Sequence, residues 1–411
     1  MNGALLIIGD ELLLGTTIDT NSAWLGRRLA EVGIEVKYKL TVGDSPKIIE
    51  DELRRLLEKF DIIITTGGLG PTLDDVTKKS IAKVLGKKLV LNERILKAIK
   101  KHFQKRGVEM PAINMSQALI PQGAHPIKNP VGTAPGLFLK EGEKWIFILP
   151  GVPSEMKAIF EEGVLPVLSR EGKKEIRFRT IKTTGITESR LAEILDRTVK
   201  EVSGYVTVSF LPRHTGVNIR IKIQKGTEGG DELLKKIEEK FTEKIGIYTY
   251  GRDEETMEEV VGYLLTMRNF TLSVAESCTG GLIKHRITNV SGSSKYFIGG
   301  VVAYSNEVKQ NLLGVPEQTL QRYGAVSQQT AISMAKGIRS LLKTDIGLSV
   351  TGIAGPSGGS VEKPVGLVYI GLLSKGKTSF EEHRFLGDRI KIKEQTAQAA
   401  LDMLRRYLLN A

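Results

Sequence analysis

Ser277-Cys278-Thr279-Gly280-Gly281 puts two hydroxyls, the chain's single thiol and a glycine pair into five consecutive residues. They follow an alternating stretch, with Leu272 and Val274 apolar, that predicts a strand. They precede an apolar-periodic helix from Leu282. Such a strand end offers backbone N–H groups and a helix N-terminus to an anion. It also stands a nucleophile where open α/β sheets hold their ligands. The alternative is a tight turn whose Ser and Thr only cap the helix.

A Ser nucleophile needs a base. His285, on the following helix, and His383, in a late strand, are not in position for it. Cys278 has no His partner, and a lone Cys in such a turn is usually packing. Lys is the remaining candidate. Ala303 to Lys309 reads as a strand end running into a helix, with Asn306 as the expected N-cap, which puts Tyr304 and Lys309 near the rim. A Lys desolvated there falls in pKa and can act as base, the Ser–Lys variant of the triad. A third loop, Thr351–Gly359, adds N–H donors and the Thr351 hydroxyl. The competing reading is a phosphate or ribose pocket without covalent chemistry.

A second constellation lies near the N-terminus. Ile64 to Asp75 reads as a buried strand ending in Thr65-Thr66-Gly67-Gly68, then Leu69-Gly70-Pro71-Thr72-Leu73 and the pair Asp74-Asp75. Glycines let backbone N–H groups approach a phosphate closely. The two Asp side chains suit a metal that bridges phosphates, or simply complement the dipole of the helix they open. Gly9-Asp10-Glu11-Leu12 also follows a strand end and belongs on the same rim. The Pro/Gly-shaped loops Asn129–Gly136 and Leu149–Glu155 fit the same cleft.

Alternating strands and helices over 1–170 predict a parallel sheet covered on both faces. The strands expected there are Ala4–Ile8, Glu35–Thr41, Asp61–Thr65, Leu137–Leu139 and Trp145–Leu149. Residues 171–251 predict a small α+β domain, and 252–411 a return to α/β. With 411 residues, 41% hydrophobic and 26% charged, the chain has material for two or three domains. One Cys excludes an internal disulfide framework and fits a reducing compartment. No apolar run approaches a membrane span, so a cytoplasmic protein without a membrane partner is expected. The net charge of +12 comes with Lys and Glu interleaved on helix faces, as in Lys235-Lys236-Ile237-Glu238-Glu239-Lys240. That pattern is a solvated surface, so nucleic acid is not expected as a partner; a weak general pull on anionic substrates remains.

GDELLLG, VGD, TTGGLGPTLDD, Asn114 with Gln117-Ala118, KNPVGTAPG and LPGVPSEM resemble the molybdopterin-binding fold, in the branch formed by the N-terminal domain of the CinA (competence/damage-inducible) family. The loop here is Gly-Gly-Leu-Gly-Pro-Thr, where the pterin-binding branch carries Gly-Gly-Thr-Gly. AESCTGGL, SGSSKYF, GGVVAYSNEVK, GAVS, VTGIAGPSGG, KPVGLVYI and GDR are similar, in family order, to the C-terminal CinA domain. Residues 171–251 resemble the family's KH-like domain, without the basic Gly-x-x-Gly loop that clamps RNA; packing or dimer formation is the role expected of them.

The resemblance implies an α/β protein of three parts. These are a three-layer molybdopterin-binding-like domain with a parallel-rich sheet (1–170), a KH-like α+β domain (171–251) and an α/β deamidase domain (252–411). It implies deamidation of nicotinamide mononucleotide to nicotinate mononucleotide and ammonia, without a cofactor, in the C-terminal domain. Ser277 would be the nucleophile, or would position a water. Lys309 would be its base and Tyr304 a helper in proton transfer. Thr279, the Gly280 and Gly281 amides, Ser294, Thr351, Gly352 and Arg389 would hold phosphate or oxyanion. For the N-terminal domain it implies metal-dependent hydrolysis of ADP-ribose to AMP and ribose 5-phosphate. Asp10, Glu11, Asp44, Asp74, Asp75 and Glu155 are the candidate ligands of a divalent ion. Thr66, Gly67, Gly68, Gly70 and Asn114 are candidate substrate contacts. A homodimer is expected. The rival readings are a DNA-uptake adaptor without catalysis and a molybdopterin-handling protein.

Overall fold

The structure, a computed structural model, describes residues 1–70, 76–105, 107–171, 178–223 and 229–411. The chain divides into two compact units, Met1–Arg177 and Phe178–Ala411. Among the described residues no helix is long and apolar enough to cross a membrane.

The N-terminal unit is built on a six-stranded sheet. Its order is Glu35–Val42, Asn2–Ile8, Ile62–Thr66, Lys144–Leu149, Gly136–Glu141 and His125–Ile127. The first four strands are parallel and the last two antiparallel. The central strands are apolar on both faces because both faces are covered. Ala4, Leu6, Ile8, Ile63, Ile146 and Ile148 pack on one side, with helices Pro46–Lys59, Thr77–Val84 and Glu93–Lys105. Leu5, Ile7, Ile62, Ile64 and Phe147 pack on the other, with Asn21–Glu31 and Pro153–Ile159. This is the three-layer, parallel-rich arrangement expected of 1–170.

The second unit holds two sheets. A four-stranded antiparallel sheet runs in the order Val206–Arg213, Gly216–Ile223, Phe178–Thr183, Thr249–Arg252. Its apolar face is covered by helices Glu188–Val202 and Gly230–Ile245. A five-stranded sheet runs Phe297–Val302, Leu272–Glu276, Ile346–Gly352, Leu367–Ser374, Lys377–Arg384. The first three strands are parallel and the last two antiparallel. Two sheets share one unit partly because of Arg405, 3% exposed on the closing helix Arg389–Leu409. Its guanidinium donates to the carbonyls of Ile247 and Thr249 and pairs with Asp402.

The faces of the larger sheet differ. Leu272, Val274, Leu348 and Ile370 join a wide apolar cluster on one side. On the other, small residues let helix Gln328–Leu342 press close. A Cβ on Gly347 would stand 2.2 Å from the Ala335 carbonyl oxygen, and Ser349 Oγ donates to the Ala331 carbonyl at 2.6 Å. Sequence reading did not foresee several short elements: helix Glu317–Tyr323, the strand pair Leu89–Leu91 with Leu119–Pro121, strand His125–Ile127, and the 3-10 turn Ala112–Ala118. Each is seven residues or fewer, too short for a periodicity to register.

Candidate functional sites at two strand-end rims

In the larger sheet of the second unit, three parallel strands end together. Glu276 stands opposite both Val302 and Val350. Ser277, Ala303 and Thr351 therefore stand side by side at this end of the sheet, Thr351 still paired with Tyr369. The Ser277 N–H donates to the Val350 carbonyl at 3.0 Å, and the Ala303 N–H to the Glu276 carbonyl at 2.8 Å. Ser277 is thereby fixed between two neighbouring strands rather than held on a free loop.

Lys309 reaches this rim from the first turn of helix Asn306–Leu313. The N-cap is Ser305, whose Oγ accepts the Val308 N–H at 3.2 Å; Asn306, the expected cap, is the first helical residue. Lys309 is 1% exposed. Its Nζ lies 2.9 Å from the Ala303 carbonyl oxygen, 3.1 Å from that of Tyr304 and 3.2 Å from Ser277 Oγ. Burial pushes its pKa below the ordinary 10.5, because the charged form loses its water. As a neutral amine, Nζ keeps two hydrogens for the two carbonyls and turns its lone pair to the serine hydroxyl. A general base for Ser277 needs that arrangement. Cys278 is buried beside it, and desolvation pushes its thiol up to about 12, so it is no thiolate near neutrality.

Glu276 changes the expectation for the glycine turn. It is fully buried, and its carboxylate accepts the N–H groups of Gly281 at 2.9 Å, Ile283 at 3.1 Å and Lys284 at 3.0 Å. The Gly280 N–H donates to the Ser277 carbonyl at 3.1 Å. The Gly280 and Gly281 amides are therefore not open to a phosphate or an oxyanion. The chain's own carboxylate occupies the seven-residue helix Leu282–Thr288 at its N-terminus. Neither Ser277 nor Thr279 caps that helix. Thr279 is fully buried, with no partner for its hydroxyl among the described residues. The acid stands five residues before the Gly281-Leu282 helix start, a spacing that does not by itself tell a buried acid from a surface one.

The remaining rim residues divide. The Tyr304 side chain is 61% exposed, and its hydroxyl accepts from Arg389 at 3.0 Å. What touches the Ser277–Lys309 pair is the main-chain carbonyl of Tyr304, not the hydroxyl expected to help in proton transfer. Arg389 also donates to the Gly355 carbonyl at 2.7 Å, so it spans two rim loops. The Thr351 hydroxyl donates to the Ala325 carbonyl at 2.7 Å. At Gly352 a Cβ would meet the Leu367 carbonyl oxygen at 2.8 Å, so close strand packing accounts for this glycine. Ser294 is misplaced for the role expected of it. It lies in the turn Ser293–Lys295 before the strand Phe297–Val302, whose Phe297 pairs with Leu272. That is the opposite end of the strands, about 17 Å from Ser277 over five residues at ~3.3 Å each.

The N-terminal unit forms its own rim in the same way. Strands ending at Ile8, Val42, Thr66 and Leu149 are parallel, and the loop before Gly136 returns to the same edge. The carboxylates of Asp10 and Asp44 take each other's backbone N–H, at 3.1 and 3.0 Å. Gly43 permits this, since a Cβ there would lie 2.2 Å from Asp10 Oδ1. Glu11 is exposed beside them. Glu155 accepts from Asn129 Nδ2 at 2.6 Å, and the Asn129 Oδ1 accepts the N–H groups of Val131 and Gly132.

Thr66 is fully engaged, donating to the Pro150 carbonyl and accepting from Asn21, which also bonds the Gly151 carbonyl. Gly67 (φ 114°) passes so close to Ile8 that a Cβ would meet its carbonyl oxygen at 2.0 Å. Gly68 follows at φ 63°, and the Thr77 hydroxyl bonds the Gly67 carbonyl at 3.0 Å. Gly70 ends the described part of this loop. Asn114 is buried and donates to Gln117 within its own 3-10 turn. Asp74 and Asp75 lie outside the described residues. Among the described residues no three His, Cys, Asp or Glu side chains gather to hold a metal ion. Asp10, Glu11, Asp44 and Glu155 by themselves thus do not fit the expected divalent ion. Sequence reading missed Asn21 and Asn129, the two amides that lock these loops.

Comparison with known proteins covers the whole chain. Residues 4–170 match the family described as "Probable molybdopterin binding domain", 178–251 the "Damage-inducible protein CinA KH domain", and 254–408 the "CinA C-terminal domain". The "Putative competence-damage inducible protein" of Caldicellulosiruptor bescii is 46% identical over 411 residues, all of both chains. The "CinA-like protein" of Dictyoglomus thermophilum is 45% identical over the same full lengths. Among solved structures, the competence/damage inducible protein CihA of Agrobacterium tumefaciens is 41% identical, covers 37% of this chain and 93% of its own, and has a TM-score of 0.36. With full-length relatives well above the identity at which families diverge, and its three segments matched in order, the chain belongs to the CinA family.

Proposed function

We propose that the second unit hydrolyses the amide of nicotinamide mononucleotide, releasing ammonia and leaving nicotinate mononucleotide. The observation that carries this reading is Lys309 Nζ, held by two backbone carbonyls with its third direction on Ser277 Oγ at 3.2 Å. Neutral Lys309 takes the hydroxyl proton as Ser277 Oγ bonds to the amide carbon. The same proton passes to the departing nitrogen, the C–N bond breaks, and ammonia leaves an ester on Ser277. A water molecule, deprotonated by Lys309, then cleaves the ester and restores the hydroxyl. Arg389, which bridges Tyr304 and Gly355 at the mouth of the rim, is suited to the substrate phosphate. The test is ammonia release from nicotinamide mononucleotide by the purified chain and its Ser277→Ala variant. Full turnover in Ser277→Ala would remove the covalent role.

For the N-terminal unit we propose hydrolysis of ADP-ribose to AMP and ribose 5-phosphate. The support is one rim that carries the interlocked Asp10–Asp44 pair and the close-approach Gly67-Gly68 turn. No AMP formation from ADP-ribose by the purified chain, with or without an added divalent ion, would reject it.

A further inference from the structure

We propose that the groove between helix Glu93–Lys105 and the loop 126–135 binds a mononucleotide, with its base on an apolar floor and its phosphate among lysines. The groove encloses about 460 Å³, within the range of small-ligand sites. Ile95 and Ile99, both buried, and Ile127 form the floor. Arg94, Lys101, His102, Lys105 and Lys128 line it, and no carboxylate does.

The charge is what sets this groove apart. On several other helices cations have acidic partners a turn away, as in Arg190–Glu193, Lys200–Asp196 and Lys236–Glu232. Helix Glu93–Lys105 carries a single acid, Glu93, against Arg94, Lys97, Lys100, Lys101 and Lys105. Among the described residues none of the groove's cations pairs with a carboxylate. Like charges gathered this way repel one another, and a bound phosphate relieves that repulsion. No Phe, Tyr or Trp lines the groove. The stacked bases of a single-stranded nucleic acid would need such platforms, so one nucleotide fits better than a polymer.

The groove also leads somewhere. Asn129 and Gly132 belong to its wall and to the rim, since Asn129 holds both the Gly132 N–H and the Glu155 carboxylate. A nucleotide seated on the lysines therefore points its far end at the rim where Asp10 and Asp44 lie. Binding is claimed whether or not that rim turns the ligand over.

The experiment is calorimetric titration of the full chain with AMP, ADP-ribose and adenosine at physiological salt. It is repeated on a Lys101→Gln/Lys105→Gln/Lys128→Gln variant, all surface positions. AMP and ADP-ribose should each weaken by about tenfold or more, with adenosine unchanged. Circular dichroism and the thermal unfolding profile of the same variant serve as the folding control. AMP and ADP-ribose affinities within about twofold of the parent, or no AMP binding by the parent at millimolar concentration, would overturn the proposal. AMP binding without ADP-ribose hydrolysis would keep the groove and discard the hydrolase reading. Hydrolysis with an unchanged KM in the variant would do the reverse.

Discussion

The two rims use the same architecture and differ in what they do with charge. Each lies at the C-terminal ends of parallel strands beside tight glycine turns. At the second unit's rim, one titratable amine is stripped of water and aimed at one hydroxyl. At the N-terminal rim, the carboxylates stay near solvent and are held by backbone amides and an asparagine. The first arrangement raises the reactivity of a group already present. The second holds its carboxylates in fixed places at an open rim. Glycine-rich strand ends thus mark where chemistry can happen, and burial of the titratable group decides which chemistry.

The largest expected effect would break the second-unit rim alone. Ser277→Ala and Lys309→Met should each lower deamidation by about 10³-fold, while ADP-ribose hydrolysis stays at the parent level. Steady-state assays of both activities on each variant check this. Next comes pH. A base must be neutral, so the deamidation rate should fall about tenfold per unit as pH drops through the Lys309 pKa, which burial sets below 10.5. A rate flat with pH over that limb would contradict the assignment.

The converse break is Gly67→Ala. With φ at 114° and the Ile8 carbonyl in the way, it should cost about 2 kcal/mol or more and most ADP-ribose hydrolysis, with deamidation intact. Glu276→Gln should cost about 1–3 kcal/mol in denaturant unfolding, since one amide oxygen replaces a carboxylate that serves three N–H groups. The smallest effect is expected of Ser294→Ala, within about twofold in deamidation, because its own chain holds it at the far end of the strands. A larger loss would mean that Ser294 serves the rim of another copy.

Much of this was legible in the sequence. The strands and helices around Ser277, Lys309 and Thr351 were readable because hydrophobic period and glycine punctuation agree there. Taking Lys309 as base, and Ser277 rather than Cys278 as nucleophile, followed from the lack of a well-placed histidine; Lys309 and Cys278 are both buried. The Glu276 capping was not legible, because a buried acid and a surface acid look alike until the turn closes over one of them. Ser294 misled for a related reason: order along the chain does not reveal which end of a strand a residue flanks. Asn21 and Asn129 were missed because their partners, Gly151 and Glu155, are brought to them only by the sheet.

Arg405 has a practical consequence for anyone dividing the chain. Its guanidinium satisfies carbonyls at Ile247 and Thr249, outside the segment that carries the Ser277–Lys309 pair. A fragment that begins after Arg252 keeps both Ser277 and Lys309 yet strips the cover from a buried cation. It also bares the part of the apolar cluster that Tyr250 packs against. Solubility, rather than activity, is then the property most exposed to the cut. Starting the fragment at Phe178 avoids the problem.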